Sequence, residues 1–547
     1  MPADASATAT VVRATFTPPS ERRSVLDRAH VGDIEGALGT VIAFDTAPRR
    51  SLHRRLATLL AIMGPGLVVM VADNDAGGLS IYAQAGQNYG ASLLWVLALL
   101  APVLFINQEM VARLGAVTGA GHARLIVERF GRRWGAFAIG DLLILNALTI
   151  VTEFIGVALA LAYFGVSRYL AVPIAAVLLL AFTATGSFRR WERAMYLLVA
   201  VSAVVIPLAV LSHHTSHSTG LSGLTPGVEG GLSSASLLLI SALAGTTVAP
   251  WQLFFQQSNV VDKRITPRWL KYERADTLIG TLLIILGAVA VMLACAWAFA
   301  GTPAHGSFEN ASAVASGLRI HVSSLAGTLF AIALLDASLI GAAAVTLASS
   351  YAVGDYFGFK HSLHRGWRDA STFHATYGAF IALAAIIVLI PGAPLGLITT
   401  GVQALAGILL PSATVFLLLL CNDRDVLGPW INPRWLNMLA ALVVGVLVVL
   451  STLLTITTIF PSIDITTLCL GMFGALPIVL APAAAMSRRR QPMTAAARQT
   501  WTMPPLEKLP TPTPSRIRQF ALIILRCQLL LAVALLIAKL VQLGVGG

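Results

Sequence analysis

The sequence predicts an all-α integral membrane protein built as two inverted five-helix repeats, with about three additional helices towards the C-terminus. Three observations carry this reading: the composition, a succession of bilayer-length apolar segments, and breaks in the first and sixth of them. Of 547 residues, 56% are hydrophobic and only 11% charged. A soluble domain carries about 25% charged residues, so most of this surface must face hydrocarbon.

A spanning helix needs about 20 apolar residues. Thirteen such segments follow one another, the first near 57–83 and the last near 519–543. They divide the chain into an N-terminal tail (1–55), a first repeat of five segments (56–213) and a second repeat (233–421). Segments eleven and twelve (435–486), an Arg- and Pro-rich linker (487–518) and the thirteenth segment complete it. The net charge of +12 raises the question of nucleic acid, and the placement of the 37 Lys and Arg residues answers it. With the N-terminus inside, only Arg168 and Arg319 fall in outside loops, and Arg526 and Lys539 lie within the last segment. The rest are inside, so the charge sets topology and nucleic acid is excluded as a partner. The expected setting is a bacterial cytoplasmic membrane, with a cytoplasmic N-terminus and a lipid bilayer as the main partner. A monomer is compatible with the sequence. Cys295, Cys421, Cys469 and Cys527 lie inside apolar runs without metal-ligand spacing and read as small buried hydrophobes. The outer loop His213–His217 reads as a solvated loop, and residues 1–55 as a partly ordered tail, with a short regulatory or capping element as the other reading.

Segment one carries Ala72-Asp73-Asn74-Asp75-Ala76-Gly77-Gly78 in its middle. Two carboxylates and paired glycines are poor material for a continuous helix in lipid, and each buried Asp costs several kcal/mol unless a partner compensates it. A cation is the most economical partner, because no Lys or Arg lies within the apolar core of segments one to twelve. Segment six carries Gly245-Thr246-Thr247-Val248-Ala249-Pro250-Trp251, where proline frees a carbonyl one turn earlier. Breaks five segments apart point to an inverted-repeat transporter with its site at mid-membrane. The donors on offer are hard oxygens, which suit magnesium, manganese or calcium. Neither break contributes Cys, Met or His to soften the set.

At these residues the chain resembles the Nramp family of divalent-metal transporters. Gly64-Pro65-Gly66, Gln84-Ala85-Gly86, Leu94-Trp95, Arg113-Leu114-Gly115 with Thr118-Gly119, Glu153-Phe154 and Leu410-Pro411 match its pattern. The resemblance implies the amino-acid-transporter-like (LeuT-type) fold, with discontinuous helices 1 and 6. It implies that Asp75 is the main metal ligand, that the carbonyls of Ala72 and Thr246 complete the shell, and that no resident cofactor is needed. The departures are specific. Gly78 stands where the family has Asn, Ala76 where it has Pro, and Ala249-Pro250-Trp251 where it has Met-Pro-His. Ala249 supplies no soft sulfur, Trp251 replaces a His implicated in proton handling, and Ile150 stands where Glu153 usually has an acidic partner. Leu409 replaces a Gln before Leu410-Pro411. The pattern is similar to the Nramp-related magnesium transporters, which move magnesium and manganese without obvious proton coupling. Small residues at Gly78 and Ala249 would leave room for a largely hydrated ion, and magnesium dehydrates reluctantly.

Other acids lie in apolar segments: Asp73, Glu109, Asp141, Glu153 and Asp336. Glu153 matches a family position, Glu109 is expected on the access path and Asp336 near the cavity wall. A proton-coupled manganese or iron transporter is the alternative reading, followed by an organic-solute transporter of the same fold and a non-transporting metal sensor. An enzyme is not expected. No His-Glu-x-x-His motif occurs, and Asp336 and Asp355 lie on one segment about 28 Å apart, too far to share a proton.

Overall fold

The computed structural model describes residues 28–530, apart from 44, 46, 214–222, 392–394, 461–462, 486–492, 511, 513–517 and 528–529. Most of the His213–His217 loop, the first 27 residues and the greater part of segment thirteen therefore lie outside the described residues.

The chain begins with a small hairpin, β1 (Ile34–Gly36) paired antiparallel with β2 (Gly39–Val41), followed by α1 (Leu52–Ile62). Segment one comprises α2 (Pro65–Ala72) and α3 (Ala76–Tyr89). The first repeat continues with α4 (Leu94–Thr118), the connecting α5 (His122–Phe130), α6 (Arg132–Tyr163), α7 (Arg168–Thr183), and α8 (Phe188–Val201) prolonged by α9 (Val205–Ser212). Segment six comprises α10 (Ser234–Thr247) and α11 (Pro250–Asp262). The second repeat adds α12 (Leu270–Phe299), the connecting α13 (Ala311–His321), α14 (Ser324–Phe357), α15 (Ser371–Leu389) and α16 (Leu395–Cys421). A short α17 (Arg424–Leu427), then α18 (Arg434–Ile459) and α19 (Ile465–Ala485), follow, and residues 518–527 begin a further helix. Among the described residues nine helices are long and apolar enough to cross a membrane. Segment one is represented only by its first half, Pro65–Ala72, which makes a tenth span if joined to the bent helix Leu52–Ile62 before it.

The packing has the symmetry of two interlocked repeats. Segment one (α2, α3) packs on segment seven (α12), and segment six (α10, α11) packs on segment two (α4). Exchanging equivalent segments of the two repeats, one with six and two with seven, turns one pair into the other. Segment three (α6) and segment eight (α14), equivalent positions in the two repeats, form the most extensive helix pair. Each broken helix is thus shielded by the opposite repeat.

Segment one starts later than the hydropathy pattern places it. Residues 52–62 form a separate helix bent 52° from α2, with Leu52, Leu56 and Leu60 exposed. The bend falls at Gly64, whose φ of 149° only glycine adopts readily, and a Cβ there would lie 1.9 Å from Glu192 Oε1. Asp276 of α12 then fixes the start of α2, accepting from the amides of Gly64 at 2.9 Å, Gly66 at 2.7 Å and Leu67 at 3.1 Å. These are amides that a helix start leaves unpaired.

The same end of the molecule is closed by a buried ion pair. Lys263 Nζ donates to Glu192 Oε1 and to the Met63 carbonyl, both at 2.6 Å. The hairpin seals the junction from outside. The Ala37 amide donates to Glu192 Oε2 at 2.5 Å, Arg189 Nε to the Gly36 carbonyl at 2.9 Å, and Arg264 Nη1 to the Asp33 carbonyl at 3.0 Å. Part of the tail is therefore a folded cap that ties together α1, α8 and the turn after α11. The linker is docked as well: Met503 is buried and its amide donates to the Val117 carbonyl at 3.1 Å.

Breaking a buried pair from one side costs about 3–5 kcal/mol, whereas replacing both partners by apolar residues is often near neutral. Lys263→Met should therefore lower the thermal midpoint of the detergent-purified protein more than the double variant Lys263→Met/Glu192→Leu. Equal losses would show that the pair does not act as a unit.

Candidate metal-ion site

Both breaks are built by capping chemistry. Asp75 is the N-cap of α3, with Oδ1 accepting from the Gly78 amide at 2.7 Å. Pro250 occupies the first position of α11, where its missing N–H is no loss. Because Pro250 has no amide, the carbonyl of Thr246, four residues earlier, has no helical donor. Segment one reaches the same result differently. The donor that would pair with the Ala72 carbonyl is the Ala76 amide, and it donates to Glu153 Oε2 at 3.1 Å instead. Glu153 thus holds the start of α3 and leaves the Ala72 carbonyl free.

These groups converge in the protein interior. Asp73, Asp75, Thr246, Ala249 and Glu153 are all buried, and Asp75 retains 2% exposure. A Cβ on Gly78 would lie 2.9 Å from both the Asp73 carbonyl and Thr246 Oγ1, which places the two breaks side by side. The space freed by the missing Asn side chain is occupied by those two groups in this conformation. The protein is closed over Asp75.

Glycine makes the junction of segments one, three and eight possible. A Cβ on Gly341 of α14 would sit 2.6 Å from Glu153 Oε2 and 2.7 Å from Asp75 Cβ. A Cβ on Gly156 of α6 would lie 2.3 Å from Ala76 Cβ. From the far side, Gln403 of α16 reaches Gly77: a Cβ there would be 1.8 Å from Gln403 Nε2. Gln403 is buried, and its Nε2 has no hydrogen-bond partner among the described residues. Sequence reasoning missed this residue because it looked for the tenth-segment amide at Leu409. Leu409 packs instead with Ile408 and Leu454. The available signal was a lone Gln in an apolar helix.

The remaining acids separate. Glu109 lines a cleft with Arg113 and Arg274 and is paired with both: Arg274 Nη2 lies 2.6 Å from Oε1 and Arg113 Nη2 3.3 Å from Oε2. Two guanidinium groups leave that wall without net negative charge. Asp141 accepts from Ser412 Oγ at 2.5 Å, a structural contact between α6 and α16. Asp336 is buried on α14, and neither of its oxygens has a hydrogen-bond partner among the described residues. Trp251 is buried against Phe255, with ring centroids 6.0 Å apart.

Two broken helices, each shielded by the opposite repeat around buried carboxylates and released carbonyls, define an inverted-repeat membrane transporter. Residues 66–457 match the family described as Natural resistance-associated macrophage protein-like, and the chain belongs to that Nramp family. The divalent metal cation transporter MntH 1 of Pseudomonas aeruginosa is 28% identical over 398 residues, 70% of this chain and 89% of that protein. The divalent metal cation transporter MntH of Lacticaseibacillus casei is 26% identical over 410 residues, 72% of this chain and 88% of its own. The manganese transporter of Eremococcus coleocola shares the fold, with a TM-score of 0.58 at 21% identity, covering 80% of this chain and 98% of that one.

Gly341→Ala should force Asp75 and Glu153 apart. Overpacking of this kind costs about 1–3 kcal/mol. The expected outcome is a folded protein, by size-exclusion chromatography, with a reduced melting temperature and loss of metal uptake. Wild-type uptake in this variant would show that the junction tolerates expansion.

Proposed function

We propose that the chain is a secondary transporter of a divalent metal cation, magnesium or manganese or both, working by alternating access. The observation that carries this reading is the pair of carbonyls, Ala72 and Thr246, each deprived of its helical donor beside a buried Asp75. Asp75 is the main ligand, the two carbonyls complete the inner shell, and Gln403 adds a neutral polar group. Small residues at Gly78 and Ala249 favour an ion that keeps part of its water shell. Hard oxygen donors without sulfur suit magnesium and manganese better than softer metals. The names of the relatives, divalent metal cation transporters, support the substrate class. The placement of basic residues supports a bacterial cytoplasmic membrane with the N-terminus inside.

Strong proton coupling is not part of the proposal, because Trp251 and Ile150 carry no titratable group at the positions where the family's relay is expected. The alternative, proton-coupled manganese or iron transport, is favoured by one observation. Glu153 and Asp75 both lie against Gly341, so a proton and a metal ion would compete there.

Uptake into proteoliposomes decides between them. Magnesium, manganese and calcium are compared with an internal pH dye present. Magnesium or manganese uptake without acidification is expected. Manganese uptake accompanied by proton entry, with no magnesium flux, would establish the alternative. Asp75→Ala should abolish uptake by a protein that still purifies as a stable monodisperse species; normal flux would remove Asp75 from the site. Ala249→Met places a thioether at the second break and should raise manganese and cadmium uptake relative to magnesium. An unchanged ratio would refute the selectivity argument.

A further inference from the structure

Asp73 is the carboxylate at the break that the proposed ligand set leaves without a task. It is fully buried, directly after the last residue of α2. Neither of its oxygens completes a hydrogen bond among the described residues, although the Gln252 side chain faces it from α11. Gln252 is itself fully buried, with Nε2 unpartnered and Oε1 accepting from Gln108 Nε2 at 2.9 Å. Gln108, on α4, is equally buried and its Oε1 is unpartnered. Segments one, six and two therefore bring together a carboxylate and two amides with orphaned polar atoms on all three.

A buried carboxylate without compensation costs several kcal/mol, and each orphaned amide atom adds about 1–3 kcal/mol. Native interiors leave such atoms unpaired where a ligand, ion or water belongs. The balance of atoms identifies which. Three acceptors without a partner among the described residues, both Asp73 oxygens and Gln108 Oε1, outnumber one such donor, Gln252 Nε2. A hydrated cation presents outward-pointing O–H donors, so its shell matches an acceptor-rich group of side chains, whereas an anion does not. The C-terminal end of α2 adds the negative pole of a helix beside Asp73.

The group lies off-centre. Asp73 precedes Asp75 on the half-helix that leads back to Gly64, and Gln252 lies on the half-helix that runs to Lys263. It therefore stands between Asp75 and the side closed by the Lys263–Glu192 pair. We propose that Asp73, Gln252 and Gln108 form a second station for a hydrated divalent cation, occupied after the ion leaves Asp75. This rests on the transport reading given above. The carboxylate receives the ion by hydrogen bonds through its water, which lets it leave again when the closed side opens.

The test compares manganese binding, by titration calorimetry on the full-length protein in detergent, with manganese uptake in proteoliposomes. Asp73→Asn keeps the shape and removes the charge. A variant of a transport step, as opposed to ground-state binding, should bind manganese within about threefold of wild type and take it up at least about tenfold more slowly. Asp75→Ala should lose both. Asp73→Asn uptake within about twofold of wild type would overturn the proposal, since Asp73 would then be a neutral structural acid. Loss of binding matching Asp75→Ala would overturn it too, because Asp73 would belong to the first shell. Gln252→Leu, expected to show the same split, carries the test if Asp73→Asn fails to fold. A wild-type protein that neither binds nor moves divalent cations would defeat the underlying transport reading, an outcome distinct from any of these.

Discussion

Unwound backbone at the centre of a bilayer has no water to satisfy it, and this constraint organises the molecule. Residues 72–76 and 246–250 give up helical hydrogen bonds, so each freed amide must find a protein acceptor and each freed carbonyl a donor or a cation. At segment one, carboxylates take up several of these amides. Ala76 is held by Glu153, Gly78 by Asp75, and the start of α2 by Asp276. The carbonyls of Ala72 and Thr246 have no helical donor, because the Ala76 amide is turned to Glu153 and proline has nothing to donate. The proposed metal site rests on that asymmetry. Acids close the donors and leave the acceptors open.

The closed side obeys a different economy. Glu192 and Lys263 lie in the dry interior only because each completes the other, and the spare oxygen of Glu192 is taken by the Ala37 amide of the hairpin. Asp262 is treated similarly, accepting from Tyr351 and Ser362 at 2.5 Å and from the Leu363 amide at 2.8 Å. Charges in this region are therefore joints between elements: Glu192 joins α8 to the hairpin, Asp262 joins α11 to α14 and the loop after it.

Much of this was legible in the sequence where physics acts locally. Apolar length gave the segments, Pro250 and the Asp-Asn-Asp run gave the breaks, and the family pattern singled out Asp75. Long-range contacts were not legible. The pairing of Lys263 with Glu192 spans 71 residues of sequence, beyond the reach of any local pattern. The hairpin has strands of three residues, too short to show a period, and it is fixed by close contact of Gly36 with the Ala61 carbonyl. Apolar residues 57–62 merged with segment one because hydropathy does not register a bend. The pairing of Glu109 with Arg113, four residues on, was within reach of the sequence, whereas that with Arg274 was not. Gln403 escaped notice because a motif drew attention six residues away.

The reciprocal packing of the two repeats also governs how the chain comes into being. Segment one is completed by Asp276 and by the Ile284 carbonyl, which accepts from Asn74 Nδ2 at 3.2 Å, both on α12. These partners lie about 210 residues downstream. At ribosomal rates of about 5–20 residues per second, they emerge roughly 10–40 s after segment one. During that interval a half-helix carrying Asp73 and Asp75 has no shielding repeat, and it cannot settle in lipid as an ordinary span. The first broken span of the chain thus waits for the seventh segment before it is complete.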